Sequence, residues 1–402
     1  MKPQRSKPQK QGGVKSKIAE ALYEAASMFN WFLPCFNILS LCSIPDYTES
    51  AKALFDYITS QRDYDNMTIV WHVKNPKVLR EIYKNGGIKR GKVLFVRKNR
   101  FVSFLFFCLS RYIVDTHGLY SMVKMKNRQK SLYLTHGMPV KKFGFEYDND
   151  IQNGVQFADY ALATSDFYKD VISRSMGINE QYIISGGLPR NDIFFQDDDL
   201  QEKIQTLLSP RYYLYLPTYR VSDKRNKSNG VDLSANGKIL GGTIAEWEKL
   251  NGALKNRDSK IVIKPHPMEQ HNNLDKLCIF SQVIIINDDF ILRNELTLNR
   301  LMKYSMGLIT DYSGAFIDYL LVDKPIVFFM PDYTEYRDSR GYVLEGILKR
   351  LPGDTIYMFK EISNALWHDN YKEARRTARE LLNIQTDATV SSKISEILFS
   401  ET

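Results

Sequence analysis

The sequence GLITDYSGAFIDYLLVDKPIVFFMPDYTEYRDSRG, residues 307–341, decides the fold class. Its pattern predicts a buried strand ending at Ile309, a polar turn over 310–314, an apolar helix over 315–322, a second buried strand over 325–330 and then an arginine-bearing loop. Such a turn is typical of parallel α/β sheets, where ligands bind at the carboxyl ends of strands. Free backbone N–H groups and the helix dipole favour an anion there. The same turn also suits an ordinary capped helix.

The composition indicates a globular chain of two or three domains. It has 402 residues, 44% of them hydrophobic, which is enough for a sizeable core. The formal net charge of +9 suits a phosphorylated substrate, an anionic lipid surface or nucleic acid. No nucleic-acid-binding motif occurs, which disfavours nucleic acid as a partner. The four cysteines lack metal-ligand spacing, no apolar run is long enough to cross a membrane, and the polar start does not predict a signal peptide.

Residues 1–45 are predicted to form a basic tail and an amphipathic helix that associates with a membrane. Apolar residues recur at helical spacing from Val14 to Phe29, and an aromatic-rich turn follows from Trp31. A basic arm, an amphipathic helix and exposed aromatic residues are typical of a segment that lies in a membrane interface. Packing of this helix on the next domain is the alternative.

The rest of the chain alternates short apolar strands with amphipathic helices. This rhythm predicts mostly parallel sheets with helices on both faces. We predict one Rossmann-like, doubly wound domain over 46–195 and a second over 196–402 with closing C-terminal helices, because the rhythm breaks over 191–210. Residues 221–242 are predicted to form a mobile loop. Neither domain contains a GxGxxG fingerprint, so a dinucleotide site is not expected.

Polar clusters follow several predicted strands, at the edge where ligands of such sheets bind. His136 comes directly after a strand, and an imidazole with an ordinary pKa of about 6.5 suits a general base. His117 is a weaker candidate for the same role. The motif Asp148-Asn149-Asp150 has the spacing of a magnesium site, but no strand precedes it, and a solvated loop is favoured.

Most of the candidate residues are cations or hydrogen-bond donors, which suit a nucleotide diphosphate and the charge that builds on it during transfer. Asp311 is the one acid, so the set fits neither a glycosidase carboxylate pair nor a zinc site. His266 joins His136 as a catalytic candidate. The predicted substrate-binding residues are Gly137, Lys141, Arg190, Thr218, Arg220, Lys264, Thr310, Asp311, Ser313, Gly314, Arg337 and Arg340.

Taken in order, these motifs resemble the CDP-glycerol glycerophosphotransferases, which are the teichoic-acid primases and polymerases and their capsule-polymer relatives. The resemblance covers roughly residues 65–345. It implies a GT-B fold, with two Rossmann-like domains facing across a cleft and the CDP donor bound mostly by the C-terminal domain. The motifs are HG-x-P-x-K-K-x-G from His136, G-x-P-R-N-D from Gly187, P-T-Y-R from Pro217, K-P-H-P from Lys264, I-T-D-Y-S from Ile309, and D-K-P-I followed by Y-x-x-Y-R-x-x-R-G ending at Gly341.

The resemblance also implies roles for individual residues. His136 matches the family's proposed base, and His266 matches a second important histidine near the donor diphosphate. Asp311, Ser313 and Arg340 match positions around the donor phosphates. The chain departs from the family pattern at Thr135, where Trp is usual, at Met138, where Thr is frequent, at Tyr219, where Trp is common, and at Gly314, where a second Ser is usual.

The implied function is transfer of glycerol phosphate or ribitol phosphate from a CDP-polyol to a hydroxyl of a membrane-associated glycan or polymer, with release of CMP. The setting would be teichoic-acid or capsule-like polymer synthesis by a peripheral protein at the cytoplasmic face of the cell membrane. A lipid-linked acceptor and an anionic membrane surface are the implied partners. No tightly bound cofactor or metal is expected, and dependence on Mg²⁺ is open. The alternatives are a GT-B glycosyltransferase that uses a nucleotide sugar and a non-catalytic membrane-surface binding protein.

Overall fold

The structure, a computed structural model, describes residues 14–85, 91–146, 158–218, 233–234, 237–266, 273–341, 343–344 and 350–400. The chain divides into two units. The first unit comprises residues 1–136, 143–192 and 385–402, and the second unit comprises residues 137–142 and 193–384.

Within the described residues, the first unit contains a sheet of seven parallel strands. They are β1 (Phe36–Cys42), β2 (Thr68–Val73), β3 (Lys92–Arg97), β4 (Ser110–Asp115), β5 (Lys130–Tyr133), β6 (Tyr160–Ala163) and β7 (Ile183–Ser185). Their order in the sheet is β3-β2-β1-β4-β5-β6-β7. The chain order therefore reverses between β1 and β4, which is the switch point of a doubly wound sheet.

The helices of the first unit follow local sequence signals. α5 begins after Ser165, whose hydroxyl accepts the N–H of Tyr168, and ends at Gly177, which has a φ of 65°. The first five helices are α1 (Val14–Phe32), α2 (Glu49–Ser60), α3 (Pro76–Asn85), α4 (Phe101–Leu109) and α5 (Asp166–Met176). Short 3₁₀ helices cover Arg62–Tyr64, Gly144–Glu146, Glu180–Tyr182 and Pro189–Phe195, the last of which runs into the second unit.

The second unit, where it is described, contains a sheet of six parallel strands. They are β8 (Tyr212–Leu216), β9 (Lys260–Ile263), β10 (Val283–Ile285), β11 (Gly307–Thr310), β12 (Ile326–Phe329) and β13 (Asp354–Ile356). Their order is β10-β9-β8-β11-β12-β13, so the reversal falls between β8 and β11. The four central strands, β9, β8, β11 and β12, are almost wholly buried, because helices cover parallel sheets on both faces.

The core of the second unit packs around Trp247, whose indole N–H donates to the carbonyl of Ile239 at 2.8 Å. Trp247 lies on α7, which starts with a reciprocal capping box between Thr243 and Glu246. The helices of this unit are α6 (Gln201–Leu207), α7 (Ile244–Lys255), α8 (Asp288–Arg293), α9 (Leu298–Tyr304), α10 (Ala315–Tyr319), α11 (Tyr333–Arg340), α12 (Ile362–Trp367) and α13 (Lys372–Leu382). Short 3₁₀ helices cover Leu274–Ile279 and Phe359–Glu361.

Two doubly wound α/β units are thus confirmed, but several predicted elements need correction. The stretch 307–341 contains the predicted strand, turn, helix and strand, although α10 ends at Tyr319. The arginine-bearing loop is a helix, α11. Parts of the predicted loop 221–242 and the Asp148-Asn149-Asp150 motif lie outside the described residues.

The predicted N-terminal segment 1–45 does not form a separate part of the fold. Phe36–Cys42, expected within an aromatic-rich turn, is the strand β1 between β2 and β4. Ile38, Leu39 and Leu41 are buried there. A short apolar run that follows a helix cannot be assigned by periodicity alone, which explains the error. The helix α1 is present, its membrane contact stays a prediction, and the tail 1–13 lies outside the described residues. No helix of the described part of the chain is long and apolar enough to span a bilayer.

The last helix belongs to the first unit, although closing helices were expected in the second. On α14 (Val390–Phe399), the ring centre of Phe399 lies 5.0 Å from the ring centre of Tyr64 and 4.7 Å from that of Tyr112. The carboxylate of Asp192 accepts hydrogen bonds from the α14 residues Val390 and Ser391 and from Gln385. The chain therefore returns to the first unit, where hydrogen bonds to the buried carboxylate of Asp192 hold its C-terminal part in place.

Replacing Asp192 with Ala should lower the free energy of unfolding of the first unit by about 3 kcal/mol, because buried donors on Gln385, Val390 and Ser391 would lose their acceptor. Asp192→Asn keeps one acceptor oxygen and should cost less. Urea unfolding followed by circular dichroism measures the difference. Asp170→Ala is the matched control, since it removes an exposed carboxylate paired with Arg174 and should cost less than about 1 kcal/mol. Equal losses for Asp192→Ala and Asp170→Ala would contradict the prediction.

Candidate active site

The carboxyl edge of the second sheet brings together residues that are far apart in the sequence. Leu216 at the end of β8 lies opposite Thr310 at the end of β11. Thr218 follows β8, and Asp311 follows β11. Because the strand order reverses between these two strands, their loops form the position where doubly wound sheets bind ligands.

The carboxylate of Asp311 joins the two loops. It accepts hydrogen bonds from the backbone N–H of Thr218 at 3.0 and 3.1 Å, from the Thr218 hydroxyl, and from the N–H of Tyr312 at 2.7 Å. Asp311 is buried, and a buried carboxylate is tolerated only when such donors surround it. The structure therefore gives Asp311 the task of holding Thr218 in place.

The remaining polar residues of the turn also support its shape. The hydroxyl of Thr310 donates to the carbonyl of Leu216 at 3.0 Å, and Thr310 is fully buried. The Oγ of Ser313 accepts the N–H of Ala315 at 3.2 Å, and Ser313 is half-buried. Since α10 has only five residues, its dipole contributes little to binding an anion. Ser313 is thus better placed than Thr310 to reach a ligand with its side chain.

A stacked pair of tyrosines fixes α11 against this turn. The rings of Tyr312 and Tyr336 have centres 3.7 Å apart and an angle of 11° between their planes, and both are fully buried. The hydroxyl of Tyr312 donates to the carboxylate of Asp332 at 2.9 Å. The ammonium group of Lys141 lies 5.1 Å from the ring centre of Tyr336. These contacts hold α11 relative to the loop after β11.

α11 carries two of the predicted phosphate-binding arginines. Arg337 pairs with Asp338 at 2.9 Å, and its guanidinium carbon lies 5.9 Å from the ring centre of Tyr333. Arg340 is the last residue of α11. The backbone of Arg340 is described and its side chain is not, so its contact with phosphate stays a prediction.

The loop after β9 carries the second predicted histidine. His266 is exposed, and Pro265 before it is buried. The ammonium group of Lys264 forms an ion pair with Asp288 at 2.7 Å, at the start of α8. Lys264 is therefore held by a neighbouring carboxylate, whereas His266 presents its ring to solvent at the same edge of the sheet.

The segment 137–142 packs on the second unit, next to the polar turn. The N–H of Val343 donates to the carbonyl of Val140 at 2.8 Å. A Cβ built on Gly314 would lie 2.3 Å from the carbonyl oxygen of Met138, a distance that no side chain tolerates. Gly314 and Met138 are both positions where the chain departs from the family pattern, and the structure places the two in contact. Gly137 has a φ of 124°, a conformation that favours glycine.

In the first unit, His136 follows β5 with its side chain exposed. Its Nδ1 lies 3.5 Å from the hydroxyl oxygen of Tyr133, a long contact. Burial raises the pKa of Tyr133, which keeps this hydroxyl protonated. Arg190 forms an ion pair with Glu49 and donates to the backbone carbonyl of His136 at 3.3 Å. Arg190 thus supports the His136 loop, and its contact with substrate stays a prediction.

The structure thus groups Thr218, Asp311, Ser313 and Gly314 at one sheet edge, and the contact of the predicted residues with substrate stays a prediction. Arg220 lies outside the described residues. The sequence prediction missed Tyr312, Tyr336, Asp332 and Glu49, although the Y-x-x-Y-R spacing already placed Tyr336 beside an arginine. In the parts of the chain that are described, no three His, Cys, Asp or Glu side chains form a group that could hold a metal ion.

Comparison with known proteins identifies the family to which this chain belongs. The family model described as CDP-Glycerol:Poly(glycerophosphate) glycerophosphotransferase matches residues 26–400. A teichoic acid poly(glycerol phosphate) polymerase of Bacillus spizizenii is 22% identical, over 80% of this chain and 80% of the relative. A teichoic acid glycerol-phosphate transferase of Staphylococcus aureus is also 22% identical, over 96% of this chain and 98% of the relative.

A solved structure of the wall teichoic acid polymerase TagF, a variant soaked with CDPG, is similar in fold. It has a TM-score of 0.73 and 18% sequence identity, and the match covers 96% of this chain and 95% of that chain. The TM-score and coverage show a shared two-unit, GT-B-like fold.

A Gly314→Ala substitution should destabilise the second unit, since the added Cβ would overlap the carbonyl oxygen of Met138. We expect a loss of about 2 kcal/mol and a thermal unfolding midpoint lower by several degrees. Gly252→Ala on α7 is the control, because a Cβ there meets nothing within 4 Å. A midpoint for Gly314→Ala as high as that of Gly252→Ala would contradict the close approach.

Proposed function

Because the chain belongs to the CDP-glycerol:poly(glycerophosphate) glycerophosphotransferase family and is therefore a transferase, we propose that it moves a polyol phosphate from a CDP-polyol to a hydroxyl of a glycan or polymer, releasing CMP. CDP-glycerol is the proposed donor, with CDP-ribitol as the second candidate. The acceptor is a membrane-associated glycan or a growing teichoic-acid or capsule-like polymer.

The observation that carries the proposal is the arrangement at the reversal between β8 and β11. Asp311 fixes Thr218 to the loop that carries Ser313, at the edge where α/β sheets bind ligands. Arg340 on α11 and His266 after β9 supply cationic or donor groups of the kind that phosphate oxygens bind. Hydrogen-bond donors outnumber acids in this set, which suits a diphosphate.

The proposed mechanism uses His136 as the general base. His136 takes the proton of the acceptor hydroxyl, and the oxygen attacks the phosphorus that bears the polyol. The bond from that phosphorus to the oxygen of CMP breaks, and a phosphodiester forms. His266, Ser313 and Arg340 would stabilise the negative charge that develops on the diphosphate, a contribution that often exceeds that of the base. No tightly bound cofactor is part of this mechanism.

An exposed apolar surface on the first unit supports membrane contact. Trp31 and Phe32 at the end of α1 are 60% and 80% exposed, and Phe101 at the start of α4 is 69% exposed. The two helices pack together through Phe29 and Phe104, whose ring centres are 6.0 Å apart. Aromatic side chains on a surface helix are suited to the interface of a bilayer. We place the protein at the cytoplasmic face of the membrane, where a lipid-linked acceptor would be within reach.

Donor specificity tests the proposed reaction. The protein should release CMP from CDP-glycerol or CDP-ribitol in the presence of a lipid-linked acceptor, and should release no UDP or GDP from nucleotide sugars.

His136→Ala should lower kcat by about 100-fold or more while leaving the affinity for the CDP-polyol unchanged. His368→Ala removes an exposed histidine of the second unit and is the matched control. Release of UDP or GDP would favour a glycosyltransferase, and full turnover by His136→Ala would refute the base. Chelation of divalent cations in the same assay tests for Mg²⁺.

The apolar surface makes a separate prediction. A Trp31→Glu and Phe32→Glu double variant should bind anionic liposomes at least about tenfold more weakly in a sedimentation assay, because two aromatic side chains would no longer enter the interface. Ile279→Glu, at a residue of the second unit that is 72% exposed, is the control for adding a charge to an exposed apolar position. If the double variant binds liposomes as well as wild type does, this surface is not the membrane contact.

A further inference from the structure

We propose that His117 is a positioning residue for His136, providing an uncharged aromatic surface on which the His136 ring rests as it takes up a proton. The two imidazole rings have centres 4.6 Å apart and an angle of 25° between their planes. This inference rests on the proposed role of His136 as the general base. It extends that role to a residue that contacts neither the donor nor the acceptor in the proposed mechanism.

The pairing follows from the register of the first sheet. Asp115 at the end of β4 lies opposite Tyr133 at the end of β5, and the N–H of Leu134 donates to the carbonyl of Asp115 at 2.8 Å. His117 and His136 follow these two strand ends after similar numbers of residues. Their side chains therefore meet at the carboxyl edge of the sheet, next to the strand at which the chain order reverses.

The His117 ring is held in place by its own loop. Its Nδ1 lies 2.8 Å from the hydroxyl oxygen of Thr116, which is fully buried. The N–H of Thr116 donates to the carbonyl of Cys42 at the end of β1. The N–H of Gly118 donates to the carboxylate of Asp115. His117 is half-buried whereas His136 is exposed, so the fixed ring lies beneath the one that reaches solvent.

Burial, with a smaller contribution from nearby charges, lowers the pKa of His117 and keeps it neutral. Burial, His136 and Lys98 together lower the pKa of His117 to about 3. Burial raises the pKa of Asp115 to about 6, and Tyr133 stays protonated. Lys98 is occupied by an ion pair with Asp46 at 2.9 Å. When His136 becomes an imidazolium, it therefore lies against the face of a neutral aromatic ring, which attracts a cation.

Two substitutions separate an aromatic surface from other roles of His117. His117→Ala removes the surface and should lower kcat by about tenfold, with the KM for the CDP-polyol unchanged. It should also move the acidic limb of the kcat–pH profile to lower pH, since the protonated form of the base would lose a favourable contact. His117→Phe keeps an aromatic ring without nitrogens and should restore kcat to within about twofold of wild type. Thermal unfolding followed by circular dichroism reports whether each variant is folded.

A kcat of His117→Ala equal to wild type would overturn the inference. So would a His117→Phe variant as slow as His117→Ala, because a ring nitrogen would then be required. An NMR titration of the His136 ring gives a readout that does not depend on turnover. A titration midpoint that moves to lower pH in His117→Ala and stays in place in His117→Phe supports the inference, and an unchanged midpoint in His117→Ala overturns it. If His136→Ala loses turnover while His117→Ala behaves like wild type, the role of His117 is refuted and the role of His136 as the base is not.

Discussion

The buried carboxylate of Asp311 is the interaction on which the candidate donor site depends. It accepts hydrogen bonds from Thr218, which is 93 positions away in the chain, and from Tyr312, which directly follows it. If the buried carboxylate lost these hydrogen bonds, they would no longer offset the free-energy cost of removing it from water. The loops after β8 and β11 therefore keep one geometry relative to each other. Tyr312, which Asp311 also orients, stacks on Tyr336 and so extends that order to the helix with the arginines.

Both units place polar residues at the same position of a doubly wound sheet, but the types of residue differ. In each parallel sheet the chain order reverses next to the first strand of the unit, and polar residues follow the strands on either side. The second unit places donors there, with acids that serve as supports, and this suits a diphosphate. The first unit places two stacked histidines near its reversal, and Arg190 holds the loop of one of them through a backbone carbonyl. The strand order thus decides where chemistry can occur, and the side chains decide which chemistry it is.

The sequence was sufficient to predict the parallel sheets, because strands buried on both faces are continuous apolar runs bounded by turns. It was also sufficient to place His136, Asp311 and Ser313 after strand ends, since each lies within three residues of the end of such a run. It failed at β1, where a short apolar run follows a helix and no local pattern distinguishes strand from turn. It could not predict the ion pair of Arg190, because its partner Glu49 is 141 residues away and nothing near Arg190 indicates that pair. Similarly, no pattern around Asp192 shows that its hydrogen bonds come from the end of the chain.

The return of the chain to the first unit has a consequence for how the protein is made. Gln385 is 193 residues further along the chain than Asp192, to which it donates a hydrogen bond. At a synthesis rate of roughly 5–20 residues per second, the ribosome adds that much chain in about 10–40 seconds. During this interval, the sheet that carries His136 has been translated without the helix that packs against Tyr64 and Tyr112. The second unit can fold as it emerges, whereas the first is completed only after α14 has been translated. A chain interrupted just after residue 384 would thus contain the whole second unit and an incomplete first unit.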